Sequence, residues 1–278
     1  MKMRSWLFSI AFAFSASCMG AGGGFDLLSA KTDINDAASL QRGASLYVNF
    51  CIGCHSLDYM RYQRMGEDLG ISPEQMKDNL LFTADKVTEK MSIAMDKAMA
   101  ERWFGVAPPD LSLIARSRGT DWLYSYLLTF YADPNPSRPF GVNNLVFPDV
   151  GMPHVLSQLQ GTQAYEAHAV DGKVVGSHVE SISATSKGIE IHKAIDVETS
   201  GGGKETHHVV DYLKVDQPGA MGVGEYRAAM RDLVNFLAYA SEPGKLSRTT
   251  IGVWVLVFLA FMFALTRMLY KEYWKDIH

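Results

Sequence analysis

The sequence predicts a mainly α domain that carries a β-rich insertion and is followed by a single C-terminal transmembrane helix. Apolar residues recur at helical spacing in two stretches, near residues 36–50 and 225–240. Between residues 161 and 215, apolar residues instead alternate with polar ones, as they do in β-strands. The last apolar stretch, Thr249 to Thr266, contains 18 residues without a charge, which is enough for one membrane span.

The N-terminus has the composition of a secretory signal. Two basic residues precede an apolar run from Trp6 to Ala16, which is too short to span a bilayer comfortably. Small residues that follow this run offer several cleavage sites. We therefore expect residues 1–21 to be a signal peptide and residues 22–246 to form a domain exported to the periplasm.

The first helix of this domain leads directly into a cysteine motif. Leu40, Gly43, Tyr47 and Phe50 follow helical spacing, and Asp36 is suited to cap the helix N-terminus. The predicted helix ends at Phe50, one residue before the motif.

Cys51, Cys54 and His55 form a Cys-x-x-Cys-His motif. Two thiols at this spacing can form thioether bonds to the vinyl groups of a haem, while the adjacent imidazole reaches the iron. A thioredoxin-like dithiol would favour a preceding strand, and a structural zinc site would need a second ligand pair. No cysteine follows Cys54. The motif predicts one covalently attached haem c, with His55 as an iron ligand.

The insertion at residues 161–215 is rich in β-branched residues and turns. Asp171-Gly172 and Gly201-Gly202-Gly203 are typical turn sequences between its strands. A metal site is a weaker alternative interpretation, because the histidines of this segment show no convincing ligand spacing. These histidines are His168, His178, His192, His207 and His208.

A second soluble helix is predicted near Glu225 to Ala240, before Pro243-Gly244 ends it. Its apolar stripe contains Ala229, Leu233, Phe236, Leu237 and Ala240. We expect Gly43 and Tyr47 of the first helix to pack against Leu233 and Phe236, because a glycine allows two helices to approach closely.

The C-terminal span predicts a membrane anchor over residues 247–270 and a short tail over residues 271–278. Arg267, Lys271 and Lys275 lie at or beyond the end of the uncharged stretch. Since basic residues favour the cytoplasmic side, we expect a cytoplasmic C-terminus, with the remaining domain on the periplasmic side of the inner membrane. Membrane lipid is then one direct contact of the chain.

The formal net charge of the whole chain is −4. A mildly acidic exported domain argues against nucleic-acid binding, and it suits a basic protein partner that docks transiently.

The sixth iron ligand of an electron carrier is expected to be a methionine, since a thioether stabilises ferrous iron. The chain has 14 methionines, and two stand out. Met152 lies in a stiff loop between Gly151 and Pro153, whereas Met221 lies just before the last soluble helix. Spacing alone slightly favours Met221 and leaves both open.

Several further motifs give the chain a close resemblance to the cytochrome c1 family, the haem subunits of cytochrome bc1 complexes. They occur in the family's order over nearly the whole mature chain. The matching features are Ser56-Leu57 after the haem motif, Tyr59-Met60-Arg61-Tyr62, Pro108-Pro109-Asp110-Leu111-Ser112 followed by Arg116 and Arg118, Gly151-Met152-Pro153, and Ser241-Glu242-Pro243 before the membrane helix.

The resemblance implies a cytochrome c-like haem domain and specific roles. It implies thioether bonds at Cys51 and Cys54, with His55 as the proximal ligand and Met152 as the distal one. It further implies that Arg118 pairs with a haem propionate, which suits a bidentate guanidinium, and that Pro108 and Pro109 form a wall against the haem edge. Separately from the resemblance, Asp110 is placed to cap the helix that follows it.

The resemblance also implies the function of an electron-transfer subunit in the respiratory ubiquinol-cytochrome c reductase. Such a chain accepts electrons from the Rieske iron-sulfur protein and passes them to cytochrome c. Cytochrome b and the Rieske protein are the implied partner subunits, in a dimeric complex. The isolated chain would only carry electrons, and the enzyme would be the whole complex.

The alternative is a membrane-anchored c-type cytochrome that donates electrons to a terminal oxidase. The 97 residues from His55 to Met152 count against it, because such chains usually have a shorter path from the haem motif to the methionine.

Overall fold

The computed structural model describes residues 24–199 and 203–275. The whole predicted signal peptide, the Gly201-Gly202 part of the predicted turn and the end of the predicted tail lie outside these residues. The helices are α1 (Ala37–Phe50), α2 (Tyr62–Leu69), α3 (Pro73–Asn79), α4 (Lys97–Phe104), α5 (Ile114–Ser117), α6 (Thr120–Leu128), α7 (Ser157–Gln160), α8 (Val223–Ser241) and α9 (Lys245–Tyr273). The strands are β1 (Leu57–Arg61), β2 (Lys90–Met91), β3 (Phe130–Ala132), β4 (Val142–Asn144), β5 (Gly161–Glu166), β6 (Lys173–Thr185), β7 (Gly188–Glu198) and β8 (Lys204–Pro218).

Helices α1 and α8 cross at the centre of the core. Helix α1 begins after Asp36, whose carboxylate accepts a hydrogen bond from the Ser39 amide at 3.0 Å. The rings of Tyr47 and Phe236 lie 5.7 Å apart, and both side chains are fully buried. This confirms the predicted packing between the two helices, and it fixes the helix from which the Cys-x-x-Cys-His motif emerges.

The predicted insertion forms one antiparallel sheet with the strand order β5-β8-β7-β6. Ile182, Ile189, Ile191 and Leu213 are buried on the side that faces the core. Asp26 near the N-terminus forms a parallel bridge to Ser181 of the edge strand β6. The alternation of apolar and polar residues therefore predicted the strands correctly.

The expected mainly α class is not confirmed, because the chain is 41% helix and 24% strand. The physical reason is twofold. The four strands of the large sheet are long, and two further two-stranded sheets, β1-β2 and β3-β4, occur where the sequence shows no strand pattern. The described chain is a mixed α and β structure.

Helix α9 is the one helix, among the residues that the structure describes, that is long and apolar enough to cross a membrane. Leu246 at its start packs against the core, but the apolar window that follows is 0% buried; Trp254, for example, is 70% exposed. A buried helix of a soluble protein would cover these side chains. A single membrane anchor is therefore the arrangement that fits α9.

Candidate haem site

The Cys-x-x-Cys-His motif forms a compact turn at the end of α1. The amides of Cys54 and His55 both donate to the carbonyl oxygen of Cys51, at 3.0 and 2.9 Å. Cys51 and Cys54 are both free thiols, and both are half-buried. The turn thus presents two unoxidised thiols beside one imidazole, as thioether attachment requires.

The imidazole of His55 is oriented by a backbone carbonyl of a distant segment. Its Nδ1 lies 2.7 Å from the carbonyl oxygen of Pro109. Because a carbonyl oxygen only accepts, Nδ1 must carry the hydrogen and donate it. Burial lowers the pKa of His55, although the hydrogen bond to Pro109 opposes this effect. In the neutral ring Nε2 then keeps its lone pair, which is the donor that an iron ligand needs.

The two thiols lie in surroundings that keep them protonated. Burial raises the pKa of Cys51 to about 12 and also raises the pKa of Cys54. A redox-active dithiol needs the thiolate form. In addition, no group of three His, Cys, Asp or Glu side chains arranged to hold a metal ion occurs within residues 24–199 and 203–275. The raised pKa values of Cys51 and Cys54 do not favour a redox-active dithiol.

Asp110 connects the haem motif to the segment that carries Pro109. Its carboxylate accepts hydrogen bonds from the Ser56 hydroxyl at 2.8 Å, the Asp58 amide at 2.9 Å and the Ser112 amide at 2.8 Å. The prediction that Asp110 caps a helix is wrong. Helix α5 begins only at Ile114, beyond the reach of this short side chain, and its N-cap residue makes no side-chain hydrogen bond. The carboxylate instead fixes the position from which Pro109 contacts His55.

The loop before Met152 contacts the same segment from the other side. A β-carbon on Gly151 would lie 3.2 Å from the Phe104 carbonyl oxygen and 3.4 Å from a methyl carbon of Val106. The short segment from Phe104 to Pro109 therefore reaches from the methionine loop to His55. Pro108, within this segment, is half-buried.

The sulfur of Met152 accepts a hydrogen bond from the Tyr126 hydroxyl at 3.4 Å. Met221, the other candidate, lies immediately before the N-cap of α8. Its amide donates to the Leu159 carbonyl at 3.0 Å, and its side chain packs against the core. Among the residues that the structure describes, Met152 is the one of the two whose sulfur accepts a hydrogen bond.

Arg118 lies next to a stacked pair of aromatic residues, one of which contacts Met152. Its guanidinium lies 5.1 Å from the ring centre of Trp122, which in turn stacks on Tyr126 with centroids 5.0 Å apart. In the part of the chain that the structure describes, the Arg118 side chain forms no hydrogen bond or ion pair with protein. The Arg118 side chain is exposed.

Two buried asparagines also shape the site, and sequence reasoning missed them. The Asn144 side chain donates to the Tyr126 carbonyl at 2.8 Å and accepts from the amides of Val146 and Phe147 at 2.9 and 3.1 Å. Asn143 accepts from the Asp149 amide at 2.9 Å. An Asn-Asn pair just before a Pro-containing loop is the one signal in the sequence that pointed to such a role.

The comparison with protein families decides the affiliation of the chain. The model of the family described as Cytochrome C1 family matches residues 29–169 and 224–277. The chain belongs to the cytochrome c1 family. The matched regions contain the haem motif, Met152 and α9, whereas the interval between them contains strands β6, β7 and β8. Most of the sheet is thus an addition to the part that the family model describes.

Individual relatives agree with this affiliation over nearly the whole chain. Cytochrome c1 of Allochromatium vinosum is 44% identical over 94% of this chain and 93% of its own length. A protein of Nitrosomonas europaea named ammonia monooxygenase gamma subunit is 40% identical over 90% of this chain and 88% of its own length. Cytochrome c1 of Rhodospirillum rubrum is 25% identical over 87% of this chain and 83% of its own length.

Members of the cytochrome c1 family carry a covalently attached c-type haem, and Cys51 and Cys54 occupy positions suited to its attachment. The described residues fit this group. Two free thiols can attach the vinyl groups, and an imidazole with an oriented ring and a methionine in a loop are the kinds of iron ligand that a c-type haem takes.

Proposed function

We propose that this cytochrome c1-family chain is the electron-transfer subunit of a ubiquinol-cytochrome c reductase, the cytochrome bc1 complex. It would accept electrons from the Rieske iron-sulfur protein and pass them to cytochrome c, in a dimeric complex that also contains cytochrome b. The observation that carries this proposal is the 2.7 Å contact of His55 with Pro109 within a family-specific segment, because it orients the imidazole of the haem motif.

Each residue of the site then has a separate task. Cys51 and Cys54 would bind the haem covalently, and His55, through Nε2, and Met152 would ligate its iron. Arg118 neutralises a propionate, and its exposed guanidinium supports this role. Pro108 and Pro109 exclude water at the haem edge, with little loss of chain entropy because their φ angles are already fixed.

The haem supplies a one-electron Fe(II)/Fe(III) couple. The protein's own contribution would be to supply His55 and Met152 as iron ligands and to hold the domain close to its donor. An iron with both ligands bound would not take part in oxygen chemistry, and the enzyme would be the whole complex.

The membrane arrangement follows from the two ends of the chain. Residues 22–246 form the periplasmic haem domain after removal of residues 1–21, residues 247–270 cross the inner membrane, and residues 271–278 lie in the cytoplasm. The apolar, uncovered surface of α9 supports the membrane crossing. The basic residues beyond its uncharged stretch support the orientation.

The test is purification of the full chain from membranes in detergent, with identification of the subunits that co-purify. Cytochrome b and a Rieske protein are expected, together with reduction of the haem by a quinol. Co-purification with a terminal oxidase would favour the alternative of a membrane-anchored cytochrome that donates electrons to it. Co-purification with monooxygenase subunits would instead give the chain the association named for the Nitrosomonas relative.

A further inference from the structure

The Tyr126 hydroxyl is the hydrogen-bond donor that contacts the Met152 sulfur. The oxygen and sulfur atoms lie 3.4 Å apart, an ordinary distance for a bond to the larger sulfur atom. The contact comes from α6, an element separate from the loop that carries the methionine. The hydrogen bond therefore fixes the Met152 sulfur against helix α6 of the core rather than against its own loop.

The tyrosine ring is held by packing on two sides. Trp122 stacks on it at 5.0 Å with an angle of 8° between the planes, and Phe130 meets it edge-on at 5.1 Å and 72°. Phe130 in turn stacks on His154, which follows Met152 by two residues, at 4.8 Å and 5°. The same buried phenylalanine thus contacts both the hydrogen-bond donor and the methionine loop.

A polar connection fixes the backbone of the same two elements. One Asn144 side chain donates to the Tyr126 carbonyl and accepts from the amides of Val146 and Phe147. Asn144 is fully buried, and a buried amide with all these bonds made resists rotation. Backbone and side-chain contacts therefore both fix the distance between Tyr126 and the loop that leads to Met152.

We propose that Tyr126 is a positioning residue that directs the Met152 sulfur and raises the reduction potential of the site. This inference rests on the proposed function, in which Met152 is the distal ligand. A thioether sulfur has two lone pairs, and the hydroxyl occupies one, which leaves the other for iron. Donation to the sulfur also withdraws electron density, so that the ligand stabilises ferric iron less.

The test is an equilibrium redox titration of the haem-loaded full chain that carries Tyr126→Phe. A neutral hydrogen bond to the ligand is worth about a three- to tenfold change in the reduction equilibrium, so at ~59 mV per tenfold for one electron we expect the potential to fall by ~30–60 mV. The control is Tyr131→Phe. Its ring packs on Tyr165 at 5.4 Å, and its hydroxyl has no hydrogen bond to any residue that the structure describes.

Met152→Leu, titrated beside these variants, separates the two hypotheses. If Met152→Leu changes neither the potential nor the absorption spectrum, the ligand assignment is wrong. If Met152→Leu lowers the potential strongly but Tyr126→Phe equals Tyr131→Phe, only the inference on Tyr126 fails. The thioether-to-iron absorption band should persist in Tyr126→Phe, because the sulfur remains bound.

Tyr126→Leu provides a second variant without the donor, and it should lower the potential in the same direction. Failure of both Tyr126 variants to retain haem, while Tyr131→Phe retains it, would also overturn the proposal. If Tyr126 only positions the sulfur, both Tyr126 variants should load haem normally.

Discussion

Gly43 of α1 and Asp232 of α8 approach so closely that a β-carbon on Gly43 would lie 2.1 Å from the Asp232 carbonyl oxygen. The same β-carbon would lie 2.7 Å from the Cβ atom of Phe236. Asp232 also accepts hydrogen bonds from Arg42 and Ser39, the neighbours of this glycine on α1. Helix α1, which ends in the haem motif, can therefore pack this closely against α8 only because Gly43 has no side chain.

Gly43→Ala is expected to destabilise the domain. In an open helix the change would stabilise by up to about 1 kcal/mol, because alanine is the better helix former. Here the added methyl group meets backbone that cannot move independently, and overpacking typically costs about 1–3 kcal/mol. Thermal unfolding followed by circular dichroism should show a lower Tm.

Gly224→Ala is the matched control for this prediction, because Gly224 also lies in a helix, α8, and a β-carbon on it would have no atom of the described residues within 4 Å. Its Tm should remain near that of the wild type. An unchanged or raised Tm for Gly43→Ala would show that the two helices are not as close as described.

Met152→Leu should lower the haem potential by much more than Met221→Leu. The reason is that Met152 has its sulfur in a hydrogen-bonded position beside the Gly151 contacts, whereas Met221 packs against the core before α8. Loss of a thioether ligand removes the preference for ferrous iron. Redox titration of both variants measures the difference, and a larger effect of Met221→Leu would reverse the ligand assignment.

Asp110 should make the free energy of unfolding depend on pH in the acid range. Burial alone would raise the pKa of this carboxyl, but hydrogen bonds from Ser112, Asp58 and Ser56 outweigh it and lower the pKa below the usual value. A lowered pKa in the folded state means that the stabilisation is complete above the unfolded value, near 4, and is lost as the pH falls through the folded value.

A comparison of the wild type with Asp110→Asn over a range of pH tests this dependence. Their difference in free energy of unfolding should be about 1 kcal/mol at neutral pH, a value reduced by solvent exposure, and should shrink as the pH falls below about 4. Asp78→Asn, an exposed change on α3, controls for the loss of charge. A difference that stays constant from pH 7 to the acid end would contradict the assigned hydrogen bonds.

Protease added to the periplasmic side of intact cells or spheroplasts should digest the haem domain and leave the C-terminal tail uncut. The expectation rests on the basic residues beyond the uncharged stretch of α9 and on the export signal. A tag after His278 makes the tail detectable by immunoblotting. Loss of the tag in unbroken cells would mean that the chain has the opposite orientation.

The sequence was sufficient for the elements with strong periodicity. Helices α1 and α8, the long strands and α9 each repeat a pattern over many residues. The Asp36 cap followed from the hydrogen bond that a helix N-terminus needs, and the glycine at the α1–α8 crossing followed from simple sterics. Strand β2 has two residues, too few for any pattern, so its pairing with β1 was not predictable. Tertiary contacts decide such short strands.

Polar residues of the site were harder to assign for a different reason. Asp110 looked like a helix cap because a helix follows it, yet its partners Ser56 and Asp58 lie more than fifty positions earlier in the chain. Tyr126 and Asn144 likewise act on residues that only the fold brings near. Local spacing even favoured Met221 over Met152, and only the family resemblance and the Tyr126 contact point the other way.

Covalent attachment of a haem through Cys51 and Cys54 is tested most directly by a haem stain of the purified chain on a denaturing gel. We expect a stained band at the mass of the chain for the wild type, and no stain for the double variant Cys51→Ser/Cys54→Ser at equal protein loading. A wild-type chain that loses all haem on denaturation, or a double variant that still stains, would contradict covalent attachment at these two thiols.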